Sequence, residues 1–460
     1  MEKDSSFPGG YETNLLEQFE VILEEDKLID EIGFLHPSQF ASLDEDSSSS
    51  SPTLATSVRL ADGNIETSIT ESNTVQYDKT TFWNRDHKLA ISTHVLCHLC
   101  VAARHAYMDV SRRYKASINL SLNSGAFCSV TSGANLDHLL ENEILKHTKA
   151  LLILSFNFAS AWNCRRLVLS RKLEISLFLE ELRFSTLILA YAPKCDYAWS
   201  QSFQFSLNKK CFSGGYRRWV IKILGEKCQN LQDIIREESD LVEKIAEKSK
   251  MNYRAWTHRC WLISYMKRVQ VLGELDKSKK WAELHVADNC CFNYRRQLML
   301  NLLEGNHLKH GEASTDCKFD VCFIWKEELE WNELLLTRYI GREALWIHRR
   351  FLSQCWIKHF TTNEGAVILD PDDNLISSKI EKFLAKELQL VKSCLNISPD
   401  EFDDTQDQAR YGASYLLWIL KFFLPQQSKH EEIIKGVKDL KPILLKTCSG
   451  KNTCWESLLN

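Results

Sequence analysis

Four arginines stand three residues behind a bulky aromatic: Arg165 behind Trp162, Arg259 behind Trp256, Arg295 behind Phe292 and Arg349 behind Trp346. A fifth aromatic, Trp199, has Ser202 where its arginine would fall. A guanidinium presents a rigid fork of N–H donors that fits a carboxylate or a carbonyl on a neighbouring element. The acidic partners within reach of sequence reasoning are Glu180, Glu181, Glu243, Glu327, Glu328 and Glu330. Metal chemistry has one place to sit: Cys97 and Cys100 have Cys-x-x-Cys spacing, with His94, His98 and His105 nearby. No second ligand pair completes four donors, and the stretch is apolar and helical, so buried cysteines acting as small hydrophobes account for it and no metal is assigned. Ser213-Gly214-Gly215 lacks the lysine and the spacing of a phosphate loop. No Ser/His/Asp arrangement stands out.

A helix must hold each aromatic–arginine pair, because residues three apart share one face. The anchors at 162, 199, 256, 292 and 346 are separated by 37, 57, 36 and 54 residues. The short gaps fit one helical hairpin per repeat, about 34–47 residues. The long gaps read as the same unit with an insertion, at 208–232 and at 304–321. Ahead of the first two motifs run amphipathic stripes: Leu136, Leu139, Leu140, Ile144, Leu151 and Leu152, then Leu177, Leu179, Leu182, Phe184, Leu187 and Leu189. Pro193 stops the second of these helices and opens a turn. The predicted fold is therefore all-α, a right-handed superhelix of antiparallel helical hairpins in which indoles fill grooves and guanidiniums tie neighbours.

The chain of 460 residues carries 44% hydrophobic residues, 17 Gly and 8 Pro, as a helical protein does. A formal charge of −4 gives no electrostatic case for nucleic-acid binding. Met1–Tyr11 reads as no signal peptide, and no apolar run is long enough for stable membrane insertion. Sixteen cysteines without such a signal point to reduced thiols and a cytoplasmic location. The sequons at Asn119 and Asn396 are then chance matches, and the C-terminus has no prenylation box. The expected organisation is a helical segment at 1–35, a serine-rich acidic linker at 36–80 and a helical segment at 81–133. The repeats follow at 134–358 and a helical cap at 359–460.

The unit Asn252-Tyr253-Arg254-Ala255-Trp256-Thr257-His258-Arg259, set in spaced hairpins, resembles the α-subunit repeat of protein prenyltransferases. Phe158–Arg166 looks most like the α-subunit of Rab geranylgeranyltransferase. Three segments outside the repeats, Ile29–Phe34, Trp281–Asp288 and Gln408–Tyr415, extend the resemblance over most of the chain. It implies a helical crescent that pairs with a β-subunit, most readily the Rab-type one. The zinc, the reactive thiolate and the isoprenoid pocket would lie in that partner, and this chain would hold no cofactor. The leaving diphosphate of an isoprenyl diphosphate gains charge at the subunit interface, where cationic and hydroxyl donors stabilise it. Carried over by distance from the anchors, Lys194 and Tyr253 take the catalytic positions, and Asn252 and Arg254 the diphosphate-binding ones. Asp196 and Tyr197 depart from the pattern, because a tyrosine is expected at 196. The implied activity is geranylgeranyl transfer to C-terminal cysteines of target proteins, with this chain inactive alone. The competing reading is a non-catalytic helical scaffold that binds other proteins.

Overall fold

The computed structural model describes residues 10–40, 81–123, 130–199, 215–304, 315–361, 373–395, 404–423 and 435–442. The serine run, Ser202 and residues 305–314 of the second expected insertion lie outside the described residues. The chain forms two compact units, Met1–His258 and Arg259–Asn460.

The first unit opens with α1 (Gly10–Glu25), β1 (Glu31–Leu35), β2 (Phe82–Arg85) and β3 (Lys88–Ser92). Then come α2 (Leu96–Asn123), α3 (Val130–Leu154), α4 (Ala159–Lys172) and α5 (Ile175–Tyr191). After these follow the single turn α6 (Asp196–Trp199), α7 (Tyr216–Lys227) and α8 (Leu231–Lys248). Helix α9 (Tyr253–Leu262) begins in this unit. The second unit holds α10 (Arg268–Leu284), α11 (Asn289–Glu304), α12 (Thr315–Arg338), α13 (Glu343–Trp356), α14 (Asp373–Leu395) and α15 (Asp404–Phe423). The all-α repeat class expected from the spacing holds, and antiparallel hairpins form each unit.

The N-terminal region departs from expectation. Residues 82–92 are not helical, and 31–35 is not part of a helix: β1 pairs parallel with β3, and β2 pairs antiparallel with β3. Ile32 lies opposite Leu89 and Phe34 opposite Ile91, so the sheet joins residues more than fifty positions apart. No local periodicity can signal such pairing. The sheet carries its aromatics into the helices: Phe82 stacks on Phe19 of α1, and Phe34 meets Tyr191 of α5 edge-on. Residues 37–40, expected in the linker, make a helical turn with Phe40 buried. The first stripe is narrower than expected too. Leu140, Ile144, Leu151 and Leu152 are buried, but Leu136 and Leu139 are more than half exposed.

All five anchor aromatics are buried, none above 4% exposed. Each motif arginine reaches a buried glutamate on the next hairpin. Arg165 binds Glu181, Arg259 binds Glu274, Arg295 binds Glu328 and Arg349 binds Glu387. The missing arginine of the second repeat is Arg217, whose fork closes on Glu238 with Nε to Oε2 at 2.9 Å. Residues 216–227 are thus the continuation of the motif helix rather than an insertion. Only the stretch between Trp199 and Gly215 separates the arginine from its aromatic.

Each glutamate takes a second donor from the residue just before the following arginine. Tyr216 O–H donates to Glu181 at 2.5 Å, Tyr294 to Glu274 at 2.7 Å and Tyr415 to Glu387 at 2.6 Å. Histidines do this elsewhere: His258 Nε2 lies 3.0 Å from Glu238 and His348 Nε2 lies 2.9 Å from Glu328. The arginine's Nη1 meanwhile caps a carbonyl of its own hairpin: Leu145 for Arg165, Leu182 for Arg217, Leu275 for Arg295 and Leu329 for Arg349. A rung with all of these contacts therefore ties four helices. The series stops at α15, where Leu416 follows Tyr415 in the arginine's place and is buried.

Of the acidic partners expected, Glu181 and Glu328 are used, whereas Glu180, Glu243, Glu327 and Glu330 are not rung residues. Three of the five rung glutamates stand 21 residues ahead of an arginine: Glu238 before Arg259, Glu274 before Arg295, Glu328 before Arg349.

Burial opposes the charge on Glu238 and Glu328. The neighbouring guanidinium and the histidine N–H outweigh it and hold both carboxyls at about 2, below the usual 4.5. Burial pushes His258 and His348 below their usual 6.5, and the facing glutamate offsets only part of that.

Two outcomes follow. Arg217→Ala leaves Glu238 buried with one neutral donor and should cost about 3–5 kcal/mol, read from urea unfolding against wild type. Acidification should also destabilise the fold in two stages. The unfolded histidines bind protons as pH falls below 6.5 while the folded ones resist, and the unfolded glutamates do the same from 4.5 toward about 2. Thermal melts at stepped pH should show the midpoint falling across both windows. His258→Gln with His348→Gln should flatten the upper one.

Candidate functional site

The residues singled out for diphosphate chemistry meet at one edge of the first unit. Pro193 ends α5 and turns the chain into α6. A second turn, between α8 and α9, places Met251 at a positive φ of 54° and delivers Asn252 to the start of α9. The two turns are locked together by the Pro193 carbonyl. It accepts from Asn252 Nδ2 at 2.7 Å and from Trp199 Nε1 at 2.8 Å. Asn252 Oδ1 accepts the Ala255 N–H at 3.2 Å, as a helix N-cap does.

This lock sets the neighbours of the two residues. Lys194 follows Pro193 and is exposed. Tyr253 follows Asn252 and is 68% exposed, the most accessible tyrosine of this turn. Lys194 and Tyr253 thus lie on the two turns that this lock joins. The structure gives Asn252 and Arg254 other work. Asn252 is 1% exposed with both ends of its amide used inside the protein, so it caps and ties rather than facing a ligand. Arg254 closes its fork on Asp196, with Nη2 to Oδ2 at 3.0 Å and Nε on Oδ1. The hydrogen bond that it donates to Asp196 holds its guanidinium above the ordinary range.

Asp196 therefore does not stand as a bare repulsive charge. It neutralises Arg254, and among the described residues these turns present the Lys194 ammonium and the Tyr253 phenol beside a satisfied ion pair. Such an edge can donate to an anion through Lys194 and Tyr253, while the pair fixes the turn. Cys195, beside them, is 2% exposed, and burial raises its thiol, so it offers no thiolate. The Asp196–Arg254 partnership was missed in the sequence because the two residues lie 58 positions apart.

Among the described residues, no group of three or more His, Cys, Asp or Glu side chains could hold a metal ion. His98 pairs with Glu12 at 2.9 Å, and Cys97 is exposed. Burial, and then the nearby Cys97, raises the Cys100 thiol. No described helix is long and apolar enough to cross a membrane.

Comparison with known proteins places these hairpins. The model of the protein prenyltransferase alpha subunit repeat matches residues 235–266 and 271–302, which are α8 with α9 and α10 with α11. Protein prenyltransferase alpha subunit repeat-containing protein 1 of Homo sapiens is 25% identical over 347 residues, covering 61% of this chain and 79% of the human one. The form 1-B from Xenopus laevis is 28% identical over 254 residues, 46% of this chain and 55% of its own length. Geranylgeranyl transferase type-2 subunit alpha of Bos taurus is more distant, 23% identical over 289 residues, 63% of this chain and 35% of its own. The chain carries protein prenyltransferase alpha subunit repeats and is similar to the repeat-containing proteins named for them.

Proposed function

We propose that this chain is the α-type subunit of a heterodimeric protein prenyltransferase. It acts beside a β-type subunit that brings the zinc and the isoprenoid pocket, and it is inactive alone. The reaction is transfer of an isoprenyl group, geranylgeranyl by its likeness to the type-2 subunit alpha, to C-terminal cysteines of a target protein in the cytoplasm. The observation that carries this reading is the edge at Pro193. There the Asn252 tie joins the turn that carries the exposed Lys194 to the turn that carries the exposed Tyr253, which supports the two as donors. In that role Lys194 Nζ and Tyr253 O–H donate to the departing diphosphate as its charge grows, which lowers the barrier selectively. Asn252 and Arg254 are positioning residues, the first as cap and tie and the second through Asp196.

One observation favours a second reading, that of a scaffold without a reaction. Arg254 is already neutralised by Asp196, so the edge carries less free positive charge than its residue count suggests.

Co-expression with each type of prenyltransferase β-subunit separates the two. The subunit reading expects one stable complex that transfers geranylgeranyl to cysteine-terminated proteins. In that complex Lys194→Ala should leave the melting profile unchanged and lower kcat by about tenfold to a hundredfold, the loss of one charge-assisted contact to the leaving group. A complex with no transfer, or equal rates for mutant and wild type, would remove the edge from the chemistry. Pairing with no β-subunit would leave the scaffold.

A further inference from the structure

The second unit carries an open groove of about 380 Å³ between α13 and α15, far in sequence from the Pro193 edge. Its floor is aromatic, built from Trp346, Tyr415 and Trp418. Gly412 eases this packing: a Cβ there would lie 3.3 Å from the Trp346 ring, a tight contact. Two apolar side chains on the rim face solvent, Ile347 at 39% and Phe422 at 68% exposure.

The charges on the rim make no close ion pair with one another among the described residues. Arg350 lies over the Trp418 ring at 4.4 Å and meets no carboxylate among the described residues. Glu343 and Lys421 make no hydrogen bond or close ion pair among the described residues, and Glu343 feels Arg410 of α15 only as a more distant charge. This contrasts with Arg349, one position earlier, which is buried in a closed rung with Glu387. The arrangement on α13 has its own symmetry. Glu343, Ile347 and Arg350 fall at i, i+4 and i+7, one stripe along the helix. The apolar residue stands near the middle, with an anion about one turn to one side and a cation about one turn to the other.

We propose that this face is an isologous interface with a second copy of the chain. A two-fold axis through Ile347 crosses the α13 helices antiparallel. It sets Glu343 of each copy against Arg350 of the other, Ile347 against its counterpart, and each Phe422 over the apolar rim. A surface that carries its own complementary charges around an apolar centre is what a two-fold contact requires. A partner of one charge sign would leave either Glu343 or the Arg350 and Lys421 pair opposed to like charge.

Sedimentation velocity on the full chain across a concentration series tests this. The expected result is a monomer–dimer equilibrium in the wild type. Glu343→Arg and Arg350→Glu should each weaken dimerisation at least about tenfold, and the combined swap should return to within about threefold of wild type. Phe422→Ser should weaken it as well without changing the thermal melt, which guards against reading an unfolding effect as a lost contact. A wild type that stays monomeric at about 100 µM would overturn the proposal and hand the groove to a partner of another sequence. A dimer indifferent to all three single changes would overturn it equally, by placing the contact on another face.

Discussion

A carboxylate buried between helices is stable only when its charge is met by donors, and this fold repeats one solution to that problem. In each rung a glutamate accepts the fork of an arginine from the hairpin before it and an O–H or N–H from the hairpin it belongs to. Taking such a pair out of water costs several kcal/mol per ion, so its net stabilisation is small, while the loss of either partner is expensive. The consequence is register. A hairpin that slipped by one residue would bury both charges unpaired, so the rungs fix which helix face meets which. The aromatic three residues ahead of every rung arginine but Arg217 fills the groove beside it, and the tyrosine or histidine donor that meets each glutamate is held to the same geometry.

That constraint explains what the sequence made legible. Aromatic and arginine at i and i+3 are local, so the hairpins and their anchors could be read directly, and so could Pro193 as the end of α5. Arg217 could not, because the chain between Trp199 and Gly215 pushes it beyond the expected spacing. Only its contacts with Leu182 and Glu238 identify it as the motif arginine. The glutamates were visible only in part, since the relevant offset of 21 residues spans a whole hairpin rather than a helical turn. The three-stranded sheet stayed hidden for the same reason on a larger scale: β1 finds β3 across a long connection. The exposed Leu136 and Leu139 show that apolar spacing alone overstates a buried face.

At the candidate site the same division appears. Lys194 and Tyr253 are singled out only by their distance from the buried anchors Trp199 and Trp256. What their neighbours do depended on contacts between turns nearly sixty residues apart. Asn252 spends its amide on the Pro193 carbonyl and the first turn of α9, and Arg254 spends its charge on Asp196. The edge is therefore preorganised, with two donors left to face outward. Preorganisation of this kind suits either a contribution to a partner's active site or a fixed docking edge, and partner identity decides between them.

The shared glutamate is the centre of this account, and a double-mutant cycle on Arg295 and Glu328 tests it most directly. Unfolding free energies of Arg295→Met, Glu328→Gln and the double variant give their coupling. A glutamate that depends on its arginine predicts a coupling of about 2 kcal/mol or more, with the double variant more stable than the sum of the singles allows. Additivity within about 0.5 kcal/mol would contradict it, since it would mean that the two side chains contribute independently and that apolar packing alone sets the register of the hairpins.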